Sequence, residues 1–299
     1  MNYCFGVDIG GTTVKIGLFE ETGTIVEKWE IPTNTLADGE AILPDIAFSL
    51  KTKIEERKLS EEDILGIGVG VPAPVTAEGI VNGSANLGWK YKEVKKEMEE
   101  LTGLKAYIGN DANVAALGEM WKGGGAGEKN MIMVTLGTGV GGGVIIDGKM
   151  LVGNNGAGGE IGHICVNYEE NDRCGCGNKG CLEQYASATG IVRLAEQKLK
   201  TEKRETILNK AAITAKDVFD AVKAGDEVAD EIAAEFGKYL GYGLANLAAV
   251  VNPAVFVIGG GVSKAGEVLI PYIEKPYKER AFFADKNAVS YTHLTLPTN

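Results

Sequence analysis

Positive charge is in short supply. The 299-residue chain carries 30 Lys and Arg against 41 Asp and Glu, a net charge of -11, so at long range it repels nucleic acid and anionic membrane surfaces. An anionic ligand must then rely on local N–H groups and a divalent cation. Also missing is any uninterrupted apolar run near the roughly 18 residues that a membrane span needs. Met1 to Val7 hold neither a basic stretch nor a long apolar run, so no secretory leader is visible. The expectation is a cytoplasmic protein with no membrane and no nucleic-acid partner. No Gly-x-x-x-x-Gly-Lys-Ser/Thr segment occurs, which excludes the P-loop way of holding phosphates. Cysteine is limited to 5 residues; in a cytosolic chain these argue for metal or chemistry rather than disulfides. Proline is sparse, at 8, while 44% of residues are hydrophobic, enough to bury real cores over about two domains.

Glycine is what the chain has in excess, 42 residues, about twice ordinary usage. Two clusters share one context. Asp8-Ile9-Gly10-Gly11-Thr12 lies between β-rich runs at Tyr3 to Val7 and Val14 to Phe19. Leu136-Gly137-Thr138-Gly139-Val140-Gly141-Gly142 lies between Met131 to Thr135 and Val144 to Ile146. Each is expected to be a hairpin tip, where glycine permits positive φ and lets backbone N–H groups approach an anion. Two such cradles point to a nucleotide site between two domains. A third tight turn, Gly259-Gly260-Gly261, follows the apolar run Val255 to Ile258 and is suited to cover an adenine or ribose.

Strands and helices alternate, which implies an α/β fold. The first part holds two hairpin strands, an acidic helix around Asp38 to Arg57, an apolar strand from Gly66 to Val71 and a charged helix around Tyr91 to Thr102. A helix from Ala112 to Trp121 leads to a second domain, past the flexible joint Gly123-Gly124-Gly125-Ala126-Gly127, and strand, glycine turn and strand begin again. Helical spacing covers Ser187 to Leu199, Thr214 to Ala224 and Glu227 to Val251, the last ended by Asn252-Pro253. A further helix is expected from Ser263 to Arg280, interrupted by Pro271 and Pro276. The expected domains are residues 1–118, the smaller, and residues 119–288, the larger. Residues 289–299 hold no acid and no Lys or Arg. They resemble the translated read-through of a sequencing-library adapter and are expected to be a non-native tail, the natural chain being cut near Asn287.

Between Gly153 and Cys181 periodicity disappears, and a long loop held by something other than a core is expected. His163 with Cys174, Cys176 and Cys181 supplies one imidazole and three thiolates, a Cys3His set for zinc. Four protein ligands would close the site to water, so the zinc is expected to be structural. Cys165 has the wrong separation to join it, and Cys4, in the first strand, reads as a small buried hydrophobe. Asn110-Asp111-Ala112-Asn113 follows an apolar strand, whose end presents side chains to a cleft. A carboxylate there accepts a hydroxyl proton during phosphoryl transfer or caps the following helix, and the two roles are compatible. Glu160 stands three before His163 and Glu183 two after Cys181, so an ion that fixes the metal ligands also fixes these carboxylates. Carboxylates and amides suit a polyol, and His163 has one ring nitrogen for zinc and another for substrate.

Asp8 to Thr12, Asn110 to Asn113, Leu136 to Gly139, Gly159-Glu160-Ile161-Gly162-His163 and Cys174 through Glu183 together resemble the ROK family of sugar kinases, particularly its bacterial glucokinases. The resemblance implies a two-domain actin-like ATPase (ribonuclease H-like) fold with an interdomain cleft. It makes Asp111 the general base, places Asn110, Glu160, His163 and Glu183 on the sugar, and puts His163, Cys174, Cys176 and Cys181 on zinc. Asn86-Leu87-Gly88-Trp89 resembles a glucokinase segment and adds Asn86 to the sugar site. MgATP is then expected on Gly10, Gly11, Thr12, Thr13, Lys15, Gly137, Thr138, Gly139, Gly260 and Gly261, with Asp8 holding magnesium through water. Many relatives carry Lys directly after Gly-Gly-Thr; this chain has Thr13, and Lys15, on the same strand face, is expected to serve in its place. A second departure is the loss of the final helix, which in this fold returns to the first domain and steadies the hinge. The expected reaction is phosphorylation of glucose to glucose 6-phosphate, although fructose, mannose and N-acetylhexosamine kinases share most motifs. Sugar-binding repressors of the same family carry a DNA-binding segment ahead of the sugar domain, whereas here the first strand begins by Tyr3. The resemblance also implies a homodimer or homotetramer.

Overall fold

The computed structural model describes residues 2–282 and 290–293. The chain divides into two compact units, Met1–Ala115 with Val152–Gly158, and Ala116–Leu151 with Gly159–Asn299. In the first, β1 (Tyr3–Ile9), β2 (Thr13–Glu20) and β3 (Ile25–Pro32) form an antiparallel meander. A distorted turn, α1 (Leu36–Gly39), leads to α2 (Ile42–Arg57), β4 (Ile64–Val71), α3 (Val94–Thr102), β5 (Ala106–Asn110) and α4 (Asp111–Lys122), and the division into units falls inside α4. The sheet order is β3-β2-β1-β4-β5, with β4 parallel to both β1 and β5.

The second unit repeats this plan. β6 (Met131–Leu136), β7 (Val140–Ile146) and β8 (Lys149–Met150) form the meander. The helices α5 (Glu183–Ala186), α6 (Ala188–Leu199), α7 (Ala215–Lys223) and α8 (Glu227–Val251) precede β9 (Val255–Gly259), and α9 (Ile270–Arg280) precedes β10 (Ser290–His293). The order β10-β9-β6-β7-β8 has β9 parallel to β6 and β10, so β10 takes the place that β5 takes in the first sheet. The expected tail otherwise lies outside the described residues.

Each unit has its own apolar core. In the first, Phe5, Val7 and Ile9 of β1 and Ile67 and Val69 of β4 meet Ile42, Leu43, Ile46 and Leu50 of α2. The spacing of these α2 residues is helical, which turns one apolar face onto the sheet. In the second, Ile132 and Val134 meet Phe256 and Ile258 and the buried face of α8, including Ile232, Phe236 and Leu240. Capping is explicit here. Asp226 accepts from Ala229 N–H at 2.9 Å, and Asn252 ends α8 in a left-handed conformation.

Local structure departs from the sequence expectation in four places. β3 was not anticipated, because its apolar residues alternate with Glu and Lys along an edge strand. The helix expected from Asp38 begins at Ile42, since Ala37 and Asp38 adopt left-handed φ of 51° and 55°. The second glycine turn is shorter than expected: Gly141, Gly142 and Gly143 lie inside β7, where a Cβ on Gly142 would meet the Ile161 side chain at 2.4 Å. The segment expected as one helix from Ser263 breaks at Gly266 (φ 84°), not at proline. Pro271 sits in the first turn of α9, where its missing N–H costs nothing.

Candidate active site

In the first unit the carboxyl ends of three parallel strands come level. Asp8 of β1 pairs across from Gly70 of β4, and Gly70 from Gly109 of β5. The carboxyl edge of such strands is where ligands bind in open α/β sheets. Glycine is needed in this row because α4 packs directly on it; a Cβ on Gly109 would stand 2.7 Å from Val114, and one on Gly70 3.0 Å from the same side chain. That close approach sets the first turn of α4 at the strand ends. Capping falls to Asn110, whose Oδ1 accepts from Asn113 N–H at 3.2 Å while its Nδ2 donates to Ala73 C=O at 3.3 Å. Asp111, the first residue of α4, accepts from the adjacent Ala112 N–H at 2.7 Å.

Asp111 is open to solvent, yet enough protein rings its carboxyl for desolvation to raise its pKa. The Asp8 charge raises it further, against hydrogen bonds from Ala112 N–H and Asn110. Asp8 is likewise raised by desolvation, with Lys15 pulling it down. Lys15 stands directly opposite Asp8 in the β1–β2 ladder, so both side chains leave the same face. Thr13, the first residue of β2, is half-buried and pairs with Pro32.

The two glycine turns have the same internal logic. In the first, Gly10 N–H donates to Thr13 C=O at 3.0 Å, Thr33 N–H to Thr12 C=O at 2.9 Å, and Thr33 Oγ1 to Gly10 C=O at 2.7 Å. In the second, Gly137 N–H donates to Gly139 C=O, Ala188 N–H to Gly137 C=O, and Thr189 Oγ1 to Thr138 C=O. The carbonyls are thus turned inward, and the N–H groups of Gly11 and Thr12, and of Thr138 and Gly139, have no partner among the described residues. Adjacent free N–H groups of this kind form an anion-binding concavity. Gly10 and Gly137 spend their own N–H groups inside the turns.

In the second unit, His163, Cys174, Cys176 and Cys181 offer ligand atoms that all lie within 4.8 Å of one another. The Cys176–Cys181 sulfurs are 3.6 Å apart and Cys174 Sγ is 3.8 Å from His163 Nδ1. A tetrahedral zinc with ordinary bond lengths has ligand–ligand edges of about 3.7 Å, so the donor set fits such an ion. Cys165 is outside the group; its backbone pairs with Cys181, which holds the loop in register. Gly162 brings His163 against β7, since a Cβ there would stand 2.0 Å from Val140 C=O.

Glu183 bridges the cysteine loop and the second turn: its Oε2 accepts from Val140 N–H at 3.1 Å and its Oε1 from Cys174 Sγ at 3.4 Å. A Cβ on Gly139 would stand 2.1 Å from that Oε2. Glu160 is exposed. Hydrogen bonds and an ion pair also hold the same loop. Glu170 accepts from Tyr185 Oη at 2.5 Å and from Arg193 Nη2 at 2.6 Å. Burial pushes the Glu170 carboxyl up, but these bonds and one from Asp172 N–H hold it down at about 2.

Gly260, with φ 88°, rides on the Leu136 backbone just before the second turn. Gly261 lines a cavity of about 330 Å³ with Ala188, Thr214, Phe219, Lys223 and Lys264. Apart from the turn glycines, none of these residues was legible as functional, because helical spacing accounts for the α7 residues fully. A larger open groove, about 830 Å³ between β3 and α2, is lined by Trp29, Leu36 and Phe48 among others and holds none of the expected site residues. Among the described residues no helix is long and apolar enough to cross a membrane.

Comparison with known proteins bears on the same elements. The model of the ROK family matches residues 4–296. A glucokinase of Halalkalibacterium halodurans is 46% identical over 92% of this chain and 85% of its own length. A xylose repressor of Caldicellulosiruptor bescii is 30% identical over 93% of this chain but 71% of its own. The crystal structure of a ROK family glucokinase from Streptomyces griseus in complex with glucose and AMPPNP superposes with a TM-score of 0.76 at 33% identity, covering 98% of this chain and 94% of that one.

Proposed function

The chain belongs to the ROK family and has its actin-like ATPase fold, and from that premise we propose that it is an ATP-dependent glucokinase. Asp111 carries the assignment: a solvent-accessible carboxylate with a raised pKa stands at the carboxyl ends of β1, β4 and β5. In the proposed reaction its carboxylate takes the proton of the glucose 6-hydroxyl, whose oxygen bonds to the γ-phosphorus of ATP. The bond from that phosphorus to the β–γ bridging oxygen breaks, and glucose 6-phosphate and ADP leave.

The free N–H groups of Gly11, Thr12, Thr138 and Gly139 receive phosphate oxygens, and the cavity beside Gly261 takes the nucleoside. Lys15, opposite Asp8, supplies positive charge that Thr13 lacks. Asp8, whose charge raises the pKa of Asp111, and Asp111 itself suit a divalent cation; magnesium, when bound through Asp8, would neutralise phosphate charge. Asn86, Asn110, Glu160, His163 and Glu183 hold sugar hydroxyls. Zinc on His163, Cys174, Cys176 and Cys181 would fix the loop that carries them.

A panel of hexoses with coupled detection of ADP tests this. ATP turnover dependent on glucose is expected. Turnover with only fructose, mannose or an N-acetylhexosamine reassigns the sugar, and ATP consumption unaffected by any hexose overturns the kinase.

A further inference from the structure

The segment Leu36–Gly39 has three consecutive residues in the left-handed region: Ala37 at φ 51°, Asp38 at 55° and Gly39 at 71°. For Ala and Asp this is an unfavourable conformation that persists only where the surroundings impose it. Here the surroundings are the loop Ser84–Trp89. Buried Trp89 donates its Nε1–H to Gly39 C=O at 3.1 Å, across 50 positions of sequence. A Cβ on Gly39 would stand 2.3 Å from Leu87 C=O, and one on Gly88 (φ 77°) 3.2 Å from Asp38 Cα. Each segment therefore uses a left-handed glycine to admit the backbone of the other.

The loop is also closed at its base. Ser84 N–H donates to Trp89 C=O at 2.8 Å and Trp89 N–H returns to Ser84 C=O at 3.1 Å, while Ser84 Oγ donates to Pro72 C=O at 3.4 Å, just past the end of β4. With Leu87 and Trp89 pinned, Asn86 is left exposed, its backbone oxygen 3.6 Å from where a Gly11 Cβ would lie. Its side-chain amide has no partner among the described residues. An exposed amide carried on a backbone pinned beside the first glycine turn is placed to recognise a hydroxyl-bearing ligand without the cost of ordering a loop.

We propose that the Gly39–Trp89 clasp is the positioning device for hexose recognition: it holds Asn86 against the first glycine turn, so that Trp89 sets sugar affinity and selectivity without touching the sugar. This rests on the kinase assignment above. Trp89→Phe keeps an aromatic ring but removes the N–H together with the five-membered ring of the indole; Gly39→Ala drives a methyl into Leu87 C=O. For both, glucose KM is expected to rise about tenfold, with ATP KM and kcat within twofold, and the glucose-over-mannose ratio of kcat/KM is expected to narrow. In an Asn86→Ala background, Trp89→Phe should change glucose KM no further, since the residue it positions is gone. Should Gly39→Ala fail to fold, Trp89→Phe alone decides. A lowered melting temperature with unchanged glucose KM and selectivity makes the clasp merely structural and overturns the proposal, as does an undiminished effect in the Asn86→Ala background. A wild-type protein that phosphorylates no hexose overturns the kinase assignment and the clasp with it, a result distinct from an active enzyme indifferent to Trp89→Phe.

Discussion

Asp111 is legible in sequence as a carboxylate that follows an apolar strand, but its proton affinity is not. Desolvation and the Asp8 charge raise its pKa above the ordinary 3.8. A base must be ionised to act, so kcat/KM should fall on the acid side as pH drops through that raised value, at a higher pH than an ordinary aspartate would set; a pH–rate profile checks this. Asp111→Ala should lower kcat about 10²- to 10⁴-fold with an unchanged melting temperature, and near-normal turnover would remove the residue from its role. Glu170 shows the opposite sign. Its folded pKa of about 2 lies below the ordinary 4.5, so the stability it contributes is present above pH 4.5 and lost as pH falls toward 2. Discounted for solvent screening, the shift is worth on the order of 1 kcal/mol at neutral pH. Glu170→Gln should therefore destabilise the fold at pH 7 by an amount of that order that shrinks below pH 4.5, as followed by denaturant unfolding of both proteins. Nothing near Glu170 in sequence announces this, because Tyr185 and Arg193 reach it from 15 and 23 positions away.

Among the elements, the glycine turns and the metal loop were readable because each is built within about twenty residues of chain. What the turns do with their hydrogen bonds was not. Thr33 and Ala188, which turn the carbonyls inward, come from other elements, and Glu183 limits Gly139 from the start of α5. Gly139→Ala should consequently displace either the turn or the carboxylate, raising KM for ATP and glucose together and lowering kcat at least tenfold; steady-state kinetics in both substrates would show it. Cys176→Ala breaks the four-ligand set, and elemental analysis should find the bound zinc lost, with a raised glucose KM from the released loop. Unchanged metal content would count against that donor set. Helices with a clear apolar stripe, such as α2 and α8, were anticipated to within a few residues at most ends, whereas the break at Gly266 was assigned to proline because a positive φ leaves no mark on hydrophobic spacing.

At the scale of the whole molecule, one sheet order appears twice, β3-β2-β1-β4-β5 and β8-β7-β6-β9-β10, each around its own core. Glucose bound only by the folded state must stabilise it: at 100 times its Kd the free energy of unfolding should rise by about 2.7 kcal/mol, visible as a higher melting temperature with glucose and not with a sugar that is not a substrate. The repeated strand–turn–strand signal marks the restart, and the acidic charge balance leaves backbone N–H groups as the anion ligands. By itself the sequence determined the α/β class, the two glycine-rich turns, the grouping of His163 with three cysteines and the carboxylate at the end of a strand at position 111, since each depends on chemistry between near neighbours along the chain. Tertiary structure alone decided which N–H groups stay free, how far Asp111 and Glu170 are shifted, where the cavity beside Gly261 opens and that Trp89 grips Gly39. Those properties are set by burial and by contacts through space between segments far apart in the chain, 50 positions for Trp89 and Gly39 and more for Asp8 and Asp111, which no local pattern encodes.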